Sequence, residues 1–121
     1  DHRDLHSFPT RRSSDLIEKL VQTEFLPAPV AHAAWIEPFP TDELHAAVLK
    51  FLLHTPSLMV MINQEDILLD RRQQNLPGTT WQNPNWVTKM RYSVEELRTD
   101  PEAKRLSQKF RILLRDSGRA G

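Results

Sequence analysis

The stretch QQNLPGTTWQNPNW, residues 73–86, concentrates the side chains of this chain that are best suited to binding chemistry. The amide of Asn75 can donate and accept hydrogen bonds at once, which suits a polar ligand. Trp81 and Trp86 offer aromatic faces on which an apolar face of a ligand could stack. Each has a structural alternative, because Asn75 could close a turn through its own backbone and a tryptophan could lie in the core.

The dipeptide Pro77–Gly78 predicts a tight turn inside this stretch. Proline fixes one backbone dihedral, and glycine supplies the positive φ that a type II turn requires. We therefore predict that Pro77 and Gly78 shape the loop and hold Asn75 in place.

Other candidate groups favour structural interpretations. Glu65 and Asp66 are adjacent carboxylates, but neighbouring side chains point in different directions, so helix capping or hydrogen bonding is the favoured role. His32, His45 and His54 are scattered, and the nine-residue separation of the last two is no metal-ligand spacing. The sequence predicts no metal site and no organic cofactor.

The composition excludes several classes of partner. The 121 residues contain 16 basic and 16 acidic side chains, so bulk charge favours neither nucleic acid nor a membrane surface. The longest apolar runs, such as residues 58–62, are far shorter than the roughly 20 residues that span a bilayer. The chain has no cysteine, which fits a reducing compartment, and we expect a cytoplasmic protein.

Residues 1–16, DHRDLHSFPTRRSSDL, resemble the in-frame translation of a widely used sequencing adapter at every position. We expect this segment to be a disordered artefact and exclude it from the fold prediction. The biological domain is then residues 17–121, and an adapter next to Ile17 predicts that upstream coding sequence was lost at the junction.

Local patterns predict the elements that position the loop. Thr41 is a good N-cap for an amphipathic helix over residues 42–54, whereas the prolines of residues 27–40 predict a connector. The apolar run SLMVMI, residues 57–62, is typical of a strand buried on both faces, which points to an α/β fold. Ser93 and Asp100 cap two closing helices.

At this point the residues resemble a family. QEDILL (residues 64–69), QNLPGTT (74–80) and NPNWVTKM (83–90) are similar in order and spacing to the C-terminal region of the 4-α-glucanotransferases of glycoside hydrolase family 77, also called amylomaltases or disproportionating enzymes. The helix sequence DELHAAVLKFLLHTPS is similar as well. The resemblance covers most of residues 42–117 and, weakly, residues 17–41.

The resemblance implies a fold and a reaction. The fold is a (β/α)₈ TIM barrel, of which this chain holds the last strand, the following loop and the closing helices, mostly helical when taken alone. The reaction transfers α-1,4-glucan segments with retention, which needs two close carboxyl groups. Those groups lie in upstream motifs of the family that have no match here, so no catalytic residue is predicted.

The resemblance also assigns roles in the loop. It places Asn75 at the mouth of the active site as a substrate-binding residue, with Trp81 as a second one, and it favours core burial for Trp86. The partners are then a malto-oligosaccharide or α-1,4-glucan in the intact enzyme and the missing N-terminal barrel part, without nucleic acid or membrane. The alternatives are a small non-enzymatic glycan- or peptide-binding module that uses loop 73–86, and a helical interaction protein in which residues 57–62 form no strand.

Overall fold

The computed structural model describes residues 11–37, 39–72 and 74–120. Its helices are α1 (Arg11–Gln22), α2 (Ala28–Ile36), α3 (Asp42–Leu53), α4 (Gln64–Ile67), α5 (Val94–Thr99) and α6 (Pro101–Asp116). The chain forms two compact units, one of Asp1–Val60 with Ile112–Gly121 and one of Met61–Arg111.

The first unit is built on three helices, α1, α2 and α3, which contact one another. Helix α2 contributes the small side chains of Ala31 and Ala34 to the core, and an edge-to-face pair of Phe25 and Phe51, with ring centroids 5.5 Å apart, packs against it. The buried residues of this core are Ile17, Leu20, Leu26, Ala31, Ala34, Leu44 and Ala47.

The prediction for residues 11–16 needs correction. We expected disorder over residues 1–16, of which 1–10 lie outside the described residues, but residues 11–16 form the start of α1. No proline or glycine interrupts residues 10–26, so the helix that buries Ile17 and Leu20 continues backwards without a break. The adapter origin of the segment stays a prediction.

The connector predicted around residues 27–40 is also wrong in part, because α2 occupies residues 28–36. Pro27 is its N-cap and Pro29 lies in its first turn. The first amides of a helix have no intrahelical acceptor, so proline costs nothing there and its fixed φ favours the helix.

Helix α3 confirms the prediction for residues 42–54 to within one residue. The Thr41 hydroxyl accepts the backbone N–H of Leu44 at 3.2 Å, and Asp42 and Glu43 occupy the first turn, where acidic side chains favour the helix dipole. At the other end, Arg119 donates to the carbonyl oxygens of Leu53, Thr55 and Ser57.

The strand predicted at residues 57–62 does not form. These residues carry no helix or strand, and no strand occurs anywhere in residues 11–37, 39–72 and 74–120. Leu58, Met59 and Met61 are 99%, 76% and 86% exposed. A doubly buried strand requires backbone partners on both sides and covering layers on both faces, and the described residues supply neither. The expected mostly helical character is confirmed.

The second unit contains α4, α5 and the N-terminal part of α6. The Ser93 hydroxyl accepts a hydrogen bond from the backbone N–H of Glu96 at 3.1 Å, and the backbone N–H of Ser93 donates to the Glu96 carboxylate at 2.7 Å. This pair of contacts confirms the predicted capping box. Asp100 accepts the N–H of Ala103 at 2.9 Å, with Pro101 as the first residue of α6. These caps define the N-terminal ends of α5 and α6.

Candidate functional site

The candidate site begins at the short helix α4. The backbone N–H of Asn63, the residue before the helix, donates to the Asp66 carboxylate at 3.3 Å. This is the side-chain half of a capping box, so Asp66 stabilises the helix start. The structural role predicted for this carboxylate is confirmed.

Helix α4 ends in a sharp reversal. Leu69 adopts a left-handed φ of +55°, and the N–H of Asp70 donates back to the carbonyl of Glu65 at 2.9 Å, as in a Schellman motif. The Arg91 guanidinium donates to the carbonyl of Leu68 at 3.1 Å. A helix end leaves carbonyls without intrahelical donors, and Arg91 satisfies one of them across 23 residues of sequence.

The reversal leads into a bidentate ion pair between Asp70 and Arg72. Arg72 donates from Nε to Asp70 Oδ1 at 3.0 Å and from Nη2 to Oδ2 at 2.8 Å, while the Asp70 side chain is only 4% exposed. Hydrogen bonds from Arg72 lower the pKa of Asp70 from 3.8 to about 2. Asp70 is therefore ionised at neutral pH and is unsuited to act as a general acid.

The turn predicted at Pro77–Gly78 is present. Gly78 has a φ of +81°, and the N–H of Thr79 donates to the carbonyl of Leu76 at 3.2 Å. In a type II turn the N–H of the fourth residue donates to the carbonyl of the first, proline is common at the second position, and the third residue has a positive φ. Residues 76–79 fit this pattern. No atom lies within 4 Å of a Cβ built on Gly78, so conformation, and not space, selects glycine.

The side chain of Asn85 braces this turn from nine residues away. Its Oδ1 accepts the backbone N–H of Leu76 at 2.9 Å and the Asn83 amide at 2.6 Å. Its Nδ2 donates to the Thr79 hydroxyl at 3.0 Å. Donor and acceptor ends of one amide therefore hold both ends of the turn Leu76–Thr79.

Trp86 follows the brace in an unusual conformation. Its φ is +63°, which is rare for a bulky residue and costs roughly 1–2 kcal/mol. Its backbone N–H donates to the carbonyl of Gln74 at 2.6 Å, which closes the loop. Trp86 is 74% exposed, so its expected core burial is wrong: the described residues leave most of this residue uncovered.

A cleft of about 300 Å³ lies between α4 and the closed loop, entirely within the second unit. This volume is at the lower end of the roughly 300–1,000 Å³ of ligand pockets. Its walls are polar, with one aromatic side chain. The lining residues are Asn63, Glu65, Asp66, Asp70, Arg71, Arg72, Gln74, Asn75 and Trp86.

The structure brings some of the predicted site residues together and separates others. Asn75 lines the cleft, and Pro77 and Gly78 form the turn just after it. Trp81 is 87% exposed and does not line the cleft. Binding roles for Asn75 and Trp81 and the loop-shaping role of the turn stay predictions.

Sequence reasoning missed three parts of the site: the ion pair of Asp70 and Arg72, the Asn85 brace, and the exposure of Trp86. The spacing Asp-x-Arg in residues 70–72 offers a local signal for the ion pair, because an arginine two residues after an aspartate can bring its guanidinium group to the carboxylate. The sequence carries no comparable signal for the other two, because Asn85 meets the turn six and nine residues away and the backbone of Trp86 is bound to Gln74, twelve residues away.

Metal binding finds no support in the described ranges, where no group of three or more His, Asp or Glu side chains could hold an ion. Within the part of the chain that the structure describes, no helix combines the length and hydrophobicity that crossing a bilayer requires.

Comparison with known proteins places this geometry in context. The family model for 4-alpha-glucanotransferase, Glyco_hydro_77, matches residues 10–95, which contain every residue of the cleft and the brace. The 4-alpha-glucanotransferases of Mycobacterium bovis and Mycobacterium tuberculosis are 34% identical over 89 residues, covering 63% of this chain and 12% of each relative. No solved structure matches the chain.

The match extends over more than half of the chain and includes the loop whose motifs show the same resemblance. The chain spans about 12% of the length of the curated relatives it matches. The protein belongs to the 4-alpha-glucanotransferase family, glycoside hydrolase family 77.

Proposed function

We propose that this chain forms one wall of the glucan site of a 4-α-glucanotransferase. The intact enzyme transfers α-1,4-glucan segments between malto-oligosaccharides by a retaining double displacement. The observation that carries the proposal is the family match over residues 10–95, because it includes the complete cleft with Asn75 on its wall.

The chemistry of the cleft supports a neutral, hydroxyl-rich ligand. Three carboxylates and two guanidinium groups line it, so the wall has no strong excess of either charge, and a polyanion would meet the carboxylates of Glu65, Asp66 and Asp70. Amide groups such as that of Asn75 can exchange hydrogen bonds in both directions with sugar hydroxyls. An apolar ligand would leave these groups unpaired.

The carboxylates of the cleft do not form a retaining pair in this proposal. Such a mechanism uses two carboxyl groups about 5–5.5 Å apart, one as nucleophile and one as acid and then base. Asp66 is committed to helix α4, and Asp70 is held ionised in its pair with Arg72. We propose that both catalytic groups come from other parts of the intact enzyme, a cytoplasmic (β/α)₈ barrel.

The test compares the chain alone with an enzyme that contains it. The purified chain should release no glucose from maltotriose. A chimera in which residues 42–95 replace the matching segment of a mycobacterial relative should retain transfer. Glucose release by the chain alone would show that the catalytic groups are here, and a folded chimera without transfer would contradict the proposed role.

A second candidate function, a small glycan- or peptide-binding module, is favoured by the exposure of both Trp81 and Trp86. A self-standing module should unfold cooperatively and bind its ligand without other subunits. Equilibrium unfolding followed by tryptophan fluorescence and by far-UV dichroism distinguishes the two, since coincident transitions favour the module and dye binding like that of a molten globule favours a barrel segment.

A further inference from the structure

We propose that Trp86 is the sugar-stacking residue of the cleft, and that Trp81, the tryptophan favoured by the sequence, is not. The inference rests on the proposed function and deepens it by naming a residue that selects the ligand. Three independent observations lead to it: the place of Trp86 on the cleft wall, its exposure, and the rigid attachment of its backbone.

Trp86 supplies the aromatic surface of the cleft. The other lining side chains are amides, carboxylates and guanidinium groups, and their hydrogen bonds fix orientation more than they bury area. A pyranose ring presents C–H groups on one face and hydroxyls around its edge. An indole face covers the C–H groups while the polar wall, including Asn75, receives the hydroxyls.

The exposure of Trp86 has no structural explanation within its unit. The side chain is 74% exposed although its backbone adopts the unfavourable left-handed region, so the conformation brings no burial in return. Such strain persists only where neighbouring contacts determine the backbone. Here the N–H of Trp86 is bound to Gln74, and Asn85 before it is bound to both ends of the turn.

Rigid attachment favours binding because little backbone freedom remains to be lost when the ligand arrives. Trp81 differs in position: it is 87% exposed and does not line the cleft. Next to it, the backbone N–H of Thr80 donates to the Gln82 side chain at 2.8 Å, which is a local hydrogen bond. The two tryptophans therefore form a matched pair, alike in type and exposure and different in position.

The experiment titrates the isotope-labelled full chain with maltoheptaose and follows the indole N–H resonances of Trp35, Trp81 and Trp86. Trp35 packs partly buried against the core of the first unit and serves as an internal reference. We expect a saturable shift at Trp86 alone. The W86A variant should bind maltoheptaose about tenfold more weakly or worse, W86F should recover part of the affinity, and W81A should bind as the parent does.

Cellohexaose, a β-linked glucan, is the control ligand and should bind more weakly than maltoheptaose. A shift at Trp81 alone, no shift at any indole, or equal affinities of W86A and the parent overturns the inference. We expect both alanine variants to be folded, because each side chain is exposed and its loss creates no cavity. Their amide spectra check this expectation.

The chimera described above separates this inference from the proposed function. Transfer by the chimera with an unchanged KM in its W86A form would overturn the stacking role and leave the function intact. Maltoheptaose binding through Trp86 in the chain, together with a folded but inactive chimera, would overturn the function and leave the stacking role intact. For the W86A form of the chimera, we expect a rise in KM with little change in kcat.

Discussion

The side-chain oxygen of Asn85 accepts the backbone N–H of Leu76 at 2.9 Å, while its amide nitrogen donates to Thr79 at the other end of the same turn. One side chain thus ties two stretches of loop that are nine residues apart. The position of Asn75, immediately before Leu76, depends on this connection. The candidate site is therefore held by a residue outside the Pro-Gly motif itself.

The brace predicts how Asn85 variants behave. Asn85→Ala removes both ends of the amide, and we expect the loop to lose about 1–3 kcal/mol of local stability, seen as faster hydrogen exchange at the Leu76 amide. Asn85→Asp keeps the acceptor for Leu76 but loses the donor to Thr79, so its effect should be smaller. Gln82→Ala, which removes only a contact to Thr80, is the control, and unchanged exchange at Leu76 in Asn85→Ala would refute the brace.

The turn predicts a conformational cost at Gly78. Gly78→Ala meets no atom within 4 Å, so its effect should come from the φ of +81° alone and amount to about 1 kcal/mol. Gly78→Asn should be milder, because asparagine tolerates the left-handed region better than alanine. Exchange at the Thr79 amide measures both. Equal effects of alanine and asparagine would indicate that the positive φ is not the cause.

The pair of Asp70 and Arg72 predicts a pH dependence. Because folding lowers the pKa of Asp70 from 3.8 to about 2, the pair contributes stability above pH 4, and this contribution is lost as the pH falls through about 2. Arg72→Met should return the pKa of Asp70 towards 3.8, as read from the carboxyl resonance in an NMR titration.

Arg105→Met is the control for this titration, because Arg105 pairs with Glu102 on α6. It should leave the pKa of Asp70 unchanged. A low pKa of Asp70 that survives in Arg72→Met would assign the shift to another donor, such as the backbone N–H of Arg91.

Arg119 predicts a strong effect at the end of α3. It donates to the carbonyls of Leu53, Thr55 and Ser57 at 2.6, 2.8 and 2.8 Å, so Arg119→Ala should lower the free energy of unfolding by about 1–3 kcal/mol. Arg119→Lys should recover little, because an ammonium group lacks the planar fork that reaches three acceptors. Denaturant unfolding provides the measurement.

The matched control is Arg115→Ala, which breaks only an exposed ion pair with Asp116 and should change stability by about 0.5 kcal/mol or less. If Arg115→Ala and Arg119→Ala destabilise the chain equally, the carbonyl contacts of Arg119 carry no special weight.

The exposed segment 57–62 predicts self-association. Leu58 is 99% exposed in a run of apolar residues, and such a run can pair with another chain. We expect concentration-dependent association in sedimentation velocity experiments, reduced by Leu58→Lys. Ile36→Lys changes an apolar residue that is 63% exposed on α2 and should not reduce it. A monodisperse parent at high concentration would contradict this expectation.

The elements predicted correctly share a physical property: their decisive contacts are local. Thr41, Ser93 and Asp100 each cap the amide three residues ahead, and the Pro77–Gly78 turn closes between neighbours in the chain. Such contacts depend on residue type and spacing, so they can be predicted without knowledge of the tertiary fold.

The strand at residues 57–62 shows where this reasoning fails. An apolar run with β-propensity predicts a strand only if other strands stand beside it, because the hydrogen bonds and the burial both come from partners. The described residues form none, and the same side chains face solvent. The connector prediction for residues 27–40 failed for a different reason. The effect of a proline depends on whether it lies inside a helix or at its start, and Pro27 and Pro29 lie at the start of α2.

By itself the sequence determined the caps, the helix α3, the type II turn and the family of the protein, because each of these depends on short-range patterns in the chain. Only the tertiary structure decided that Asn85 braces Leu76, that Arg119 holds the end of α3, and that Trp86 lies exposed on the cleft. These contacts join residues 9 to 66 positions apart. Whether such residues meet depends on the path of the backbone between them, which residue type and spacing do not specify.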